Sequence, residues 1–175
     1  MTVFHALTKD LRLELPWPKP EDYVPARAGD AILVWGGSSS VGQFAVQVLG
    51  YYGYYNVLVT ASRKHHGKLR SLGAARTFDY RDPGIVATIQ AVGGHVPLIL
   101  DCIGSKNGSI TPIAEIAKKG TQIAVLLPVI VRDSSDSEDP IYEMDVSKAA
   151  AWEGGVDVRG VRTHFYPEVS DFTPH

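Results

Sequence analysis

The run Leu33-Val34-Trp35-Gly36-Gly37-Ser38-Ser39-Ser40-Val41-Gly42-Gln43-Phe44-Ala45-Val46-Gln47-Val48 constrains the fold more than any other stretch of the chain. Its first residues form an apolar run with the character of a buried strand. A turn built only of glycine and serine follows. Apolar residues then recur at Val41, Ala45, Val48 and Leu49, the spacing of one helical face. A strand, a tight small-residue turn and a helix start together present free backbone N–H groups to a phosphate. The expected ligand is therefore a nucleotide.

The same alternation continues along the chain. Strands are expected at 32–35, 56–60, 76–78, 98–101, 122–126 and 157–161, and helices at 41–49, 64–72, 85–92 and 110–118. Gly73 and Gly120 are placed to end the second and fourth helices. Strands and helices in alternation predict an α/β fold: a Rossmann-type, doubly wound parallel sheet of about six strands with helices on both faces. Residues 1–30, proline-rich after the short apolar start Val3, Phe4 and Leu7, read as a lead-in; 31–166 is the domain and 167–175 a tail. The acidic, serine-rich stretch 132–140 reads as a mobile surface loop, with phosphorylation there weighed and set aside.

Composition narrows the class. The 175 residues are 45% hydrophobic and 21% charged with a net charge of -2, which gives no reason to expect nucleic acid or an anionic membrane as partner. The single cysteine, Cys102, excludes an internal disulfide and a cysteine-built zinc site. The N-terminus lacks the apolar core of a signal peptide, and the longest apolar run, 123–131, is broken by Pro128. A cytoplasmic protein is expected.

The turn Gly37-Ser38-Ser39-Ser40-Val41-Gly42 departs from G-x-G-x-x-G by placing Ser39 at the middle glycine. Small residues still admit a pyrophosphate to the backbone, and a serine hydroxyl can donate to it. The competing reading is a tight strand–helix connection with no ligand. A nucleophile elbow around Ser38 would put Ser40 where a small residue is wanted, and a P-loop would need Lys-Ser/Thr after Gly42, where Gln43 and Phe44 stand.

The second strand runs into Ala61-Ser62-Arg63-Lys64 with no acid in reach to hold a ribose 2′-hydroxyl. A hydroxyl and two cations suit a 2′-phosphate, so NADP(H) is expected over NAD and over S-adenosylmethionine. Residues 65–70 read as a solvated helix face; His65 and His66, adjacent on a helix, point apart and are not a metal site. No Tyr-x-x-x-Lys pair occurs, which excludes the acid–base arrangement of short-chain reductases.

VWGGSSSVGQFAVQV, VTASRKHHGKLRSLGAARTFDYRDP, LDCIGS and GTQIAVLLP, in that order over residues 31–165, resemble the cofactor-binding domain of medium-chain dehydrogenase/reductases. The resemblance is to the zinc-independent quinone-reductase-like and trans-acting enoyl-reductase branch. It implies pyrophosphate binding by Gly37, Ser38, Ser39, Ser40, Val41 and Gly42. Ser62, Lys64 and neighbouring Arg63 would take the 2′-phosphate, with Tyr80 against the same group. Cys102 and Ile103 would lie along the cofactor, and Leu126, Leu127 and Pro128 would approach the nicotinamide. Tyr80 as a plain surface aromatic is the competing reading. Cys102 reads as a small buried hydrophobe rather than a nucleophile, because neither Asp101 nor Ile103 would stabilise a thiolate.

The family's substrate domain is mostly missing from this sequence, and with it any catalytic acid that could be named. The expected function is the NADPH-binding domain of an oxidoreductase passing hydride to an enone, quinone or carbonyl, inactive by itself. A stand-alone, non-catalytic dinucleotide-binding module is the alternative. A homodimer through an apolar edge strand near 156–161 (Val156, Val158, Val161) is the expected assembly.

Overall fold

The computed structural model describes residues 1–135 and 137–162. The last residues expected in the domain, 163–166, and the tail 167–175 lie outside them.

Among the described residues, eight strands form: β1 (Ile32–Trp35), β2 (Val57–Thr60), β3 (Arg76–Phe78), β4 (Leu98–Asp101), β5 (Gln122–Leu126), β6 (Val129–Arg132), β7 (Ile141–Glu143) and β8 (Asp157–Val161). Five α-helices accompany them: α1 (Thr2–His5), α2 (Ser40–Tyr52), α3 (His66–Ser71), α4 (Ile85–Gly93) and α5 (Thr111–Ile116). Six strands make one parallel sheet in the order β3-β2-β1-β4-β5-β8, while β6 and β7 pair as an antiparallel hairpin. The strand order runs outward in both directions from β1 and β4, and at that switch point open α/β sheets take their ligands, outside the carboxyl ends of the strands.

β1 is buried on both faces and shows how its residues are divided. Ile32 and Val34 enter one core with Val57, Val59, Leu98 and Leu100, covered by Ala45, Val46, Leu49 and Tyr52 of α2 and Leu69 of α3. Leu33 and Trp35 enter the other with Leu58, Ile99, Ile123 and Val125, covered by Ile85 and Ile89 of α4 and Ile113 and Ile116 of α5. The continuous apolar runs are what strands sandwiched between helices require.

Four expectations change. The start of the chain is packed: α1 and the helical turn Ala6–Asp10 bury Val3, Ala6 and Leu7, with Leu11 and Leu13 beyond them, in the first core. Residues 132–135 and 137–140 form the tip of the β6–β7 hairpin rather than a free loop. There Arg132 Nη1 lies 3.0 Å from Glu138 Oε2, and Ser135 and Glu138 bridge across the tip. The fourth helix ends at Ile116, well before Gly120, because Ala117 is already extended (ψ 134°). The helix over 64–72 opens as a tighter turn at Arg63–His65 before α3 begins.

Candidate dinucleotide site

The β1–α2 turn is fastened to β2 before any ligand is considered. Gly36 N–H donates to Thr60 Oγ1 at 3.0 Å and Gly37 N–H to the Thr60 carbonyl at 2.9 Å. Ser39 caps α2: its hydroxyl accepts from Gly42 N–H at 3.1 Å and donates to the Gly36 carbonyl at 2.8 Å. That hydroxyl is therefore occupied, and what the turn offers an anion is backbone. The amides of Ser40 and Val41 have no acceptor among the described residues, as the first turn of a helix dictates, and neither has that of Ser38 just before the cap. Gly42 is required by packing, since a Cβ there would stand 2.6 Å from the Gly36 carbonyl oxygen.

At the end of β2, Ser62 is nearly buried and its side chain does not cap the turn Arg63–His65. Lys64 is exposed and, among the described residues, makes no ion pair. Arg63 is paired, with its Nε 3.3 Å from Asp79 Oδ2. The expectation that no acid lies in reach thus holds along the chain but fails across the sheet. Asp79 follows β3, which runs beside β2, with Ala61 N–H donating to the Phe78 carbonyl at 2.9 Å. Tyr80 is 42% exposed and carries the Arg81 guanidinium 4.8 Å from its ring centroid. Beyond Lys64 the helix face is as expected, with Leu69 buried beneath it; one His66 ring nitrogen lies 3.0 Å from the Ala61 carbonyl oxygen.

The loop after β4 is built on Asp101, which is fully buried. Its Oδ1 accepts from Ile103 N–H (2.9 Å) and Gly104 N–H (3.2 Å), and its Oδ2 from the Ser109 hydroxyl (2.7 Å). Burial pushes its pKa up to about 6 against these three bonds, which favour the ionised form. Burial and the neighbouring Asp101 charge push the Cys102 thiol up, while a hydrogen bond with the Ser39 side chain acts the other way. Ile103 lies over Gly36, where a Cβ would strike its side chain.

These pieces enclose a cavity of about 240 Å³ lined by Trp35, Gly36, Ser38, Ala61, Tyr80, Ile103, Ser105 and Gly108. Of the predicted residues it gathers Ser38, Tyr80 and Ile103 from three separated motifs. Leu126, Leu127 and Pro128 stand apart from it at the end of β5. They are nonetheless joined to the same loop, since a Cβ on Gly104 would meet the Leu126 carbonyl oxygen at 2.5 Å and Ile130 N–H donates to the Gly104 carbonyl at 2.6 Å. Sequence reasoning missed Thr60, Asp79 and Ser105. A threonine closing a buried strand was the signal for the first, and Ser105 stands in the LDCIGS motif beside Ile103; only Asp79 is brought in by strand order alone.

A dinucleotide fits this arrangement: unpaired amides at a helix start, a serine hydroxyl and a lysine at the adjacent strand end, and an aromatic wall. Among the described residues, no group of three or more His, Cys, Asp or Glu is placed to hold a metal ion. No described helix is long and apolar enough to cross a membrane.

Comparison with known proteins agrees with the geometry. Residues 40–158 match the sequence model of the zinc-binding dehydrogenases. The chain is 40% identical over 95 residues to the trans-enoyl reductase himH of Aspergillus japonicus, covering 54% of this chain and 27% of that protein. It is 33% identical over 129 residues to the dual trans-enoyl reductase/FAD-dependent monooxygenase tazHJ of Aspergillus terreus, covering 73% of this chain and 18% of that one. The chain thus spans about a quarter of the length of such relatives. The fold matches that of a quinone oxidoreductase from Coxiella burnetii (TM-score 0.54, 23% identity, 72% of this chain and 33% of that one). It also matches an alcohol dehydrogenase zinc-binding domain protein from Burkholderia ambifaria (TM-score 0.63, 15% identity, 91% and 37%).

Proposed function

The chain belongs to the zinc-binding dehydrogenase family, and from that premise we propose that it is the NADPH-binding part of a cytosolic oxidoreductase acting on an enone, quinone or carbonyl. The observation that carries the proposal is the convergence of Ser38, Tyr80 and Ile103 on one cavity at the carboxyl ends of the strands, beside Ser62 and Lys64. Relatives named as trans-enoyl reductases favour an enone within that range.

The cofactor, when bound, supplies hydride; the chain's own residues bind and orient it. The amides of Ser38, Ser40 and Val41 would hold the pyrophosphate at the start of α2. Ser62 and Lys64 would take the 2′-phosphate, with Arg63 and Tyr80 at its edge. Ile103 and Cys102 would exclude water along one side of the cofactor. Leu126, Leu127 and Pro128 would do the same at the nicotinamide end.

Titration of the chain with NADPH and NADH, followed by tryptophan fluorescence, tests this. Lys64→Ala is expected to weaken NADPH by roughly ten- to a hundred-fold, or about 1.5–3 kcal/mol, and to leave NADH nearly unchanged. Equal loss for both cofactors would remove Lys64 from the 2′-phosphate.

A further inference from the structure

We propose that Asp79 limits how strongly this site prefers the 2′-phosphorylated dinucleotide, so that NADH is admitted alongside NADPH; the inference rests on the NADPH reading above. Asp79 stands one residue past β3, against the strand end that delivers Ser62, Arg63 and Lys64. Its side chain is only 15% exposed, and both oxygens are engaged. Oδ2 lies 3.3 Å from Arg63 Nε, and Oδ1 accepts from Arg81 N–H at 3.1 Å. The carboxylate is thus fixed in position rather than free to swing into solvent.

Two consequences act in the same direction. Arg63 is one of the two cations that the sequence offers a 2′-phosphate, and its charge is already compensated by Asp79. Lys64 is then the remaining cation of the pair without a partner among the described residues. A 2′-phosphate, with nearly two negative charges, therefore meets a neutral Arg63–Asp79 pair where it would otherwise meet a free cation. A ribose 2′-hydroxyl meets the opposite situation, because a carboxylate beside it is an acceptor of the kind NAD sites use. Asp79 therefore costs NADPH affinity and lends some to NADH. It acts as a specificity-determining residue that no reading along the chain would select, since Arg63 and Asp79 are neighbours only through the pairing of β2 with β3.

The test is the affinity of the chain for NADPH and NADH, compared with that of Asp79→Asn, Arg63→Gln and Lys64→Ala. Asparagine keeps a side-chain oxygen for the Arg81 amide, so the turn after β3 is retained while the charge is lost. Asp79→Asn is expected to raise the NADPH-to-NADH affinity ratio about three- to ten-fold. That gain should shrink in about 1 M salt, where the screening length falls to about 3 Å. Arg63→Gln, which leaves the carboxylate unopposed, is expected to lower the ratio. If Asp79→Asn shifts the melting temperature but not the ratio, Asp79 is structural only and the inference falls. With Lys64→Ala still losing NADPH selectively, the cofactor reading would survive that result. Binding of neither cofactor by the unaltered chain would overturn both.

Discussion

The Asp101 carboxylate accepts three hydrogen bonds in a position with no solvent exposure, and burial nevertheless raises its pKa from 3.8 to about 6. Because the native value lies above the unfolded one, the folded state keeps a proton over a range in which the unfolded chain has already lost it. Stability from this group is fully present below about pH 4, declines as the pH rises to about 6, and is level above that. A shift of this size corresponds to something on the order of 2–3 kcal/mol. Asp101→Asn should flatten that part of the profile. The amide oxygen can still accept from Ile103 and Gly104, and the amide N–H can donate to Ser109 Oγ, whose own hydroxyl has the Ser105 carbonyl at 3.1 Å. Denaturant unfolding at about pH 4.5, within the transition, and at about pH 7.5, above it, checks it. Parallel profiles for the two proteins would show that folding does not raise the Asp101 pKa. Asp79 presents the complementary residue-scale lesson. Ser62, Arg63 and Lys64 could be read as an anion site from the sequence, but the partner that tempers them lies sixteen residues beyond Arg63, visible only once β2 and β3 are paired.

At the level of elements, the six strands of the parallel sheet were legible almost to the residue; β1, β2 and β4, buried along their whole length, must be continuous apolar runs between turn signals, whereas the half-exposed β3 and β8 were marked by their place in the strand–helix alternation. The hairpin was not. β7 is three residues long with Ile141 and Tyr142 exposed, and the segment leading to it is acidic and serine-rich, so neither period nor composition marks it. The start of the chain shows the same limit differently: Val3, Phe4 and Leu7 suggest a helical face too short to weigh against the prolines that follow. In the structure Leu7 has no solvent exposure and lies in a helical turn packed on β5 and β8. Leu7→Ala is expected to cost about 2–5 kcal/mol, the range for emptying a leucine site in a core. A segment merely leading into the domain would give a change within about 0.5 kcal/mol. Thermal or denaturant unfolding of the variant distinguishes the two.

For the whole molecule, among the described residues the sheet leaves β8 at one edge, and we propose that this edge pairs with a second copy across a two-fold axis. Asp157 N–H donates inward to the Thr121 carbonyl at 2.9 Å, which fixes the alternation along the strand. The backbone groups of Asp157, Arg159 and Val161 therefore face β5, and those of Val158 and Gly160 face away from it. An edge with two outward-facing residues and part-buried Val156 and Val158 is a template for pairing unless charge or distortion blunts it. The charges present do not serve that purpose: Arg12 lies 3.2 Å and Arg159 3.0 Å from the same Asp157 oxygen, at the beginning of the strand. Val158→Pro would delete one outward donor and leave the ladder to β5 without a missing bond. Light scattering should show a dimer for the unaltered chain and a monomer for the variant, with cofactor affinity retained because the ends of β1 to β4 are untouched. A monomer at high concentration in both would mean that β8 is covered by something other than a second copy. A dimer in both would place the contact on another face.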